Sequence, residues 1–204
     1  MRQLISIAFF LAMLAGAAAE AGVYRVVNVD PGDVLNIRAA PQSSADILGA
    51  LPPDAAMIEV LEEEDGWARI ISGEGYGWVS MAYLEPVMRP VTYGGAPLAL
   101  QCAGTEPFWG LALNGDESVR FTDPMGDGEA AEGILTESRE AQSRPWPFIY
   151  YFEGEVSGIA ILDRAECSDG MSDIDYVWRA YVDVRDGEHG ARFFEGCCRT
   201  PVQQ

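Results

Sequence analysis

Basic residues are scarce in this sequence. Thirteen Lys and Arg stand against 32 Asp and Glu, for a net charge of -19 and an isoelectric point near 4.2. Such a surface repels nucleic acid and anionic lipid, whose binding depends on clustered cations. Histidine is scarcer still. The only one, His189, sits in Asp186-Gly187-Glu188-His189-Gly190, which reads as a solvent-facing turn. One histidine excludes a multi-histidine zinc site within a single chain and leaves Ser/His or Cys/His catalysis a poorly placed base. No C-x-x-C pair suggests thiol redox chemistry, no EF-hand spacing or internal repeat is present, and no cofactor is implied.

Long apolar runs are missing except at the start. Arg2 is followed by the mostly apolar stretch Leu4 to Leu14 and by Ala17-Ala18-Ala19, the three parts of a secretory signal peptide over residues 1–19. The run is shorter than the ~20 residues a membrane-spanning helix needs. No cysteine follows it to accept a lipid, and no later segment is long and apolar enough to span a membrane. The expectation is a soluble exported protein, periplasmic or secreted.

All four cysteines, Cys102, Cys167, Cys197 and Cys198, lie in the C-terminal half. An even count in an exported chain argues for disulfides. Cys197 and Cys198 joined to each other would close a strained ring, and on a strand their side chains point to opposite faces. That favours one bridge from each, to Cys102 and Cys167, and leaves two ways of pairing them.

What the chain does contain is short strand-like runs between turn residues. Tyr24–Val27, Val34–Arg38, Ala56–Leu61, Trp67–Ile71 and Gly77–Val79 are separated by Asp30-Pro31-Gly32, Pro52-Pro53-Asp54, Glu64-Asp65-Gly66 and Ser72-Gly73-Glu74-Gly75. Five short strands in this space predict a small β-barrel over residues 22–87. Leu35-Asn36-Ile37-Arg38-Ala39-Ala40-Pro41, Gly49-Ala50-Leu51-Pro52, Gly66-Trp67, Gly77-Trp78-Val79 and Tyr83-Leu84 resemble, in order and spacing, the bacterial SH3 domain. The resemblance implies binding, often to cell-wall peptide or to protein. Tyr76, Tyr83 and Arg38 are the candidate ligand residues, the tyrosines as amphipathic contact surface and Arg38 as a carboxylate partner. Trp67 and Trp78 could join the two tyrosines in an aromatic groove, but they follow glycines on adjacent strands and are read first as sealing the core.

Residues 88–98 combine proline with Gly94-Gly95 and read as a linker. Beyond them, residues 99–204 read again as β-structure. Phe108–Leu113 and Ser118–Thr122 flank an Asn114-Gly115 hairpin turn, and Phe148–Phe152, Gly158–Leu162, Tyr176–Val184 and Ala191–Phe194 follow, with Asp123–Glu132 as a long exposed loop. In Tyr176–Val184 the face of Tyr176, Trp178, Ala180, Val182 and Val184 is the apolar one. The fold class expected is all-β: an SH3-like small barrel, then a disulfide-stabilised antiparallel barrel or meander.

Gly104-Thr105-Glu106-Pro107-Phe108-Trp109, Cys167-Ser168-Asp169-Gly170-Met171-Ser172-Asp173 and Gly196-Cys197 resemble an uncharacterised family of exported bacterial proteins. That resemblance implies a Cys167–Cys197 bridge, leaving Cys102 for Cys198, and brings no activity. No catalytic or metal-binding residue is assigned. Glu106 reads as a turn residue before it reads as a catalyst, and Asp169, Asp173 and Asp175 as turn formers before calcium ligands. The leading functional reading is an envelope-associated binding protein with peptidoglycan or an envelope protein as partner. The alternatives are a cell-wall hydrolase using carboxylates of residues 99–204, and a carrier enclosing a small apolar ligand with Trp146, Phe148 and Trp178.

Overall fold

The computed structural model describes residues 22–123, 130–187 and 190–203. The signal-peptide reading and that of His189 lie outside these residues.

In the first region the strands are β1 (Gly22–Val26), β2 (Leu35–Arg38), β3 (Ile47–Leu51), β4 (Ile58–Val60), β5 (Glu62–Glu64), β6 (Trp67–Ser72), β7 (Gly75–Ser80) and β8 (Leu84–Val87), with a three-residue 3-10 turn at Met81–Tyr83 before β8. They form two sheets, β4-β1-β8 and β3-β2-β7-β6-β5. Alternation puts Leu35 and Ile37 of β2, Ala68 and Ile70 of β6 and Val79 of β7 into a core with Val26, Leu51, Ile58 and Leu84. The two-residue turn Asp65-Gly66 joins β5 to β6 with both residues at positive φ (47° and 79°), the geometry that matches strand twist and that Asp-Gly adopts readily. The region is SH3-like, as expected.

The core of this region is aliphatic. Trp67 and Trp78 are half-buried and outside it, against the expectation that they seal it. Each sits on the sheet face opposite to the packed one, because Ala68, Gly77 and Val79 take the inward positions.

The second region contains β9 (Leu100–Thr105), β10 (Phe108–Leu113), β11 (Ser118–Thr122), β12 (Ala130–Glu140), β13 (Phe148–Gly154), β14 (Val156–Asp163), β15 (Cys167–Ser168), β16 (Asp175–Tyr176), β17 (Trp178–Asp186) and β18 (Gly190–Arg199). Eight of these form a closed barrel in the order β10-β11-β12-β13-β14-β17-β18-β9, an antiparallel up-and-down circuit whose first and last strands meet. Closure leaves the barrel without an edge strand. Trp109, Leu111, Leu113, Phe121, Tyr150, Phe152, Leu162, Val182 and Phe194 fill its interior, as an eight-stranded barrel allows. Charged and polar side chains such as Arg120, Glu132, Glu153, Asp183 and Glu195 face outward. This pattern is the reverse of a lipid-facing barrel.

Cys197 and Cys198 do project to opposite faces of β18. Cys198 bonds inside the barrel to Cys102 on the neighbouring strand β9, its register partner. Cys197 bonds outside to Cys167, which pins the small β15–β16 ladder to the wall. This is the pairing implied by the family resemblance.

Several local expectations need correction. The β10–β11 hairpin forms, but the left-handed residue is Glu117 (φ 67°) rather than Asn114 or Gly115; Glu117 N donates to Asn114 O, and Asp116 accepts from the Ser118 amide and hydroxyl. Ala130–Glu132 begins strand β12 instead of ending a loop, and Asp123 is buried and paired with Arg192; residues 124–129 lie outside the described residues. Tyr176 belongs to β16 and pairs with Cys167, so the inward face of β17 starts at Trp178.

Residues 88–98 are packed, not a free tether. Ala96 and Leu98 enter the barrel core, the Tyr150 hydroxyl donates to Pro97 O at 2.7 Å, and Leu98 N donates to Pro90 O. Burial pushes the Tyr150 phenol far above its ordinary pKa, keeping it a donor. A second tie is ionic: Glu59 of β4, itself buried, pairs with Arg89 at 3.1 Å and accepts from the Thr200 amide and hydroxyl. Ala56 and Gln203 exchange both backbone hydrogen bonds across the same junction.

Candidate functional site

A cleft of about 430 Å³ lies on the SH3-like region, lined among others by Asp30, Asp33, Arg38, Trp67 and Tyr83. Its parts come from distant stretches of sequence. β2 ends at Arg38, opposite Trp78 of β7. β6 starts at Trp67, which pairs with Ser80. Tyr83 closes the 3-10 turn, and its carbonyl accepts from Val27 N at 2.9 Å. The acids come from the loop after β1, where Asp33 N donates to Asp30 O and Gly32 takes a φ of 99°, a turn that requires glycine's freedom.

The chemistry of this cleft is mixed. Tyr83 is 41% exposed and Trp67 is half-buried, so both rings offer apolar surface with a polar tip. Arg38 is committed in part to the fold: its Nη1 donates to Ala45 O at 2.9 Å, holding the chain between β2 and β3. Asp33 accepts from Val34 N through Oδ1 and keeps its second oxygen available.

Two of the three expected ligand residues, Arg38 and Tyr83, therefore share one cleft, and Tyr76 does not join them. Tyr76 stacks under the Arg69 guanidinium, 4.6 Å from ring centre, and its hydroxyl accepts from Asp175 N, so it docks the SH3-like region on the β15–β16 ladder. In sequence Trp67 reads as core before groove, and Asp30 and Asp33 were not foreseen as cleft residues. The signal available for them was their place in turns, Gly66-Trp67 and Asp30-Pro31-Gly32, on the side of the domain where Arg38 ends its strand.

Elsewhere the structure places the other candidates in structural roles. Asp169 accepts from Met171 N, Ser172 N and Oγ, and the Tyr176 hydroxyl. Burial pushes its carboxyl up, but these donors outweigh that and hold it below the ordinary range. Among the described residues no group of three or more His, Cys, Asp or Glu is gathered as a metal site. Glu106 is exposed in the turn between β9 and β10. Phe148 and Trp178 pack ring to ring in the barrel, 6.1 Å apart, with Trp146 against the same core, so these aromatics fill the interior that the carrier reading would need open.

Residues 33–85 match the family model of the bacterial SH3 domain. The match covers the strands that build the cleft from β2 to Tyr83, and such domains often bind cell-wall material. No curated protein and no solved structure matches the chain. The SH3 domain and the two disulfides fit an extracytoplasmic protein, and among the described residues no helix is long and apolar enough to cross a membrane.

Proposed function

We propose that this is an exported, envelope-associated binding protein built from an SH3 module (22–87), a packed connector (88–98) and a disulfide-closed barrel (99–204). The SH3 cleft holds cell-wall peptide or a peptide segment of an envelope protein. The observation that carries this reading is the half-exposed pair Trp67 and Tyr83 beside Asp30 and Asp33. Rings supply contact area, and the two acids favour a ligand carrying amines, as free amino groups of wall peptides do.

The test is co-sedimentation of the mature protein with isolated cell-wall sacculi, with capture of envelope proteins in parallel. Tyr83→Ala and Trp67→Ala are expected to weaken retention roughly tenfold, the size of ~1.4 kcal/mol, while thermal unfolding stays near that of the parent. Retention on neither material by the parent protein would count against the reading.

A further inference from the structure

A second cleft, larger than that of the SH3-like region, lies on the outer wall of the barrel. Its volume is about 740 Å³, within the range of small-molecule and peptide sites. Strand register defines its floor. Arg199 of β18 is paired with Gln101 of β9, Gln101 with Ala112 of β10, and Ala112 with Arg120 of β11. These four residues form one outward-facing rung across four strands. The next outward rung is Cys197, Ala103, Gly110 and Thr122. The centre of the floor is therefore Ala103 and Ala112, whose side chains are short, with Gly110 between them covered by the Thr122 hydroxyl, and an arginine stands at each end of one rung.

The walls are fixed covalently and by hydrogen bonds. The Cys167–Cys197 bridge fastens one side, Thr105 Oγ1 donates to Asp169 O at 3.0 Å, and Met171, Ile174 and Tyr176 rise beside the floor. Gly73 and Glu74 of the SH3 β6–β7 turn form part of the rim.

The charges decide what fits. Arg199 makes no ion pair or side-chain hydrogen bond with a described residue. Arg120 is 3.7 Å from Glu132, and both side chains are more than half exposed, a pair weak enough to be exchanged for a ligand. The acids of the site are Asp169, whose oxygens accept from the four donors named above, and Glu74, exposed at the rim. Arg199 and Arg120 are three strand spacings apart along the rung, ~14 Å, which is the length of about four extended residues.

From this arrangement we infer that the barrel-wall cleft binds the C-terminal end of a short peptide with small side chains. The terminal carboxylate pairs with Arg199 beside the Gln101 amide, methyl-sized side chains lie over Ala103 and Ala112, the Thr122 hydroxyl over Gly110 faces the peptide backbone, and the opposite end of the peptide reaches Arg120. An arginine fork suits a carboxylate because its N–H groups match the two oxygens. The floor sets side-chain size, since larger groups would need the space that Met171 and Tyr176 bound.

The probe is acetyl-Ala-Ala-Ala, titrated calorimetrically into the mature protein beside the same tripeptide as its C-terminal amide. Saturable binding of the acid is expected, with the amide at least tenfold weaker. Arg199→Gln should weaken the acid at least tenfold, Arg120→Gln less, and Ala112→Leu should abolish binding by filling the floor. Tyr83→Ala, in the separate SH3 cleft, should leave it unchanged. Failure of the acid to saturate, equal binding of acid and amide, or an Arg199→Gln protein that binds like the parent would each overturn the inference. Loss in Tyr83→Ala with retention in Ala112→Leu would overturn it as well, by assigning the peptide to the SH3 cleft.

Discussion

Ile58 in the SH3-like region and Tyr150 in the barrel are both fully buried, and the difference between their surroundings separates the two halves. The core around Ile58 is aliphatic and free of cysteine, and the tryptophans stay half-buried on the outer face where one of them lines a cleft. The core around Tyr150 contains Trp109, Phe121, Phe148, Phe152, Trp178 and Phe194, with a disulfide at the seam. A small barrel closes around Val, Leu and Ile, so its tryptophans stay on the outer face. A circuit of eight strands encloses a wider interior, which its rings fill together with leucine, valine and alanine side chains, so the peptide site inferred above lies on the wall. The contrast teaches that aromatic residues of one sequence can hold opposite roles, set by the diameter of the sheet they sit on.

The sharpest way to break this comparison is to remove the seam. Replacing Cys102 and Cys198 together by alanine opens a loop of sequence separation 96 and is expected to cost about 4.7 kcal/mol in the chain-entropy model, read as a lowered denaturation midpoint. Removing Cys167 and Cys197, with separation 30, should cost somewhat less, about 3.5 kcal/mol, and should free the β15–β16 ladder while the barrel stays closed.

Next in size is the junction. Sequence alone suggests that reduction destabilises residues 100–199 and leaves the SH3 module folded, because that module contains no cysteine. The buried Glu59–Arg89–Thr200 contact couples the halves instead, and the expected result is a single unfolding transition in the parent. Glu59→Ala, which strands a largely buried guanidinium, should cost about 3 kcal/mol and split that transition in two, as followed by calorimetry. Tyr150→Phe is a milder cut at the same connector, expected to cost about 1 kcal/mol by leaving Pro97 O unpaired.

The smallest effect concerns acid. The Asp169 carboxyl is held below its ordinary range in the fold, so the stabilisation it brings is complete above the unfolded value near ~4 and is lost as pH falls through the lower folded value. Hydrogen exchange at the Met171 and Ser172 amides, both donors to Asp169, should therefore gain an opening contribution on acidification. Asp169→Asn should show fast exchange at those amides already at neutral pH. The SH3 module, whose turns do not depend on this carboxylate, should keep its protection over the same range.

Much of the fold was legible because alternation is visible wherever one face of a strand is buried: β10 and β11 have the limits that the sequence suggests. β12 was not legible. Its sequence, Ala-Ala-Glu-Gly-Ile-Leu-Thr-Glu-Ser-Arg-Glu, buries only Leu135 fully, so burial leaves almost no period to read. The connector was misread for a related reason, since proline and paired glycine signal a turn without revealing that Thr92, Ala96 and Leu98 lie buried at the barrel end. Of the SH3 cleft, Arg38 and Tyr83 were legible through motif positions. Tyr76 was not separable from them, because its partner Asp175 is 99 residues away. The wall cleft was invisible, since it exists only through the register that aligns Arg199, Gln101, Ala112 and Arg120.

The Cys102–Cys198 seam also makes the molecule tolerant of a broken backbone. Cys102 precedes the exposed Asn114-Gly115 turn and Cys198 follows it, so a protease that nicks this turn yields two fragments still joined covalently. They would migrate as one species without reductant and as two with it. In a compartment where proteases are at work, a cut at the hairpin tip would leave the barrel's circuit fastened.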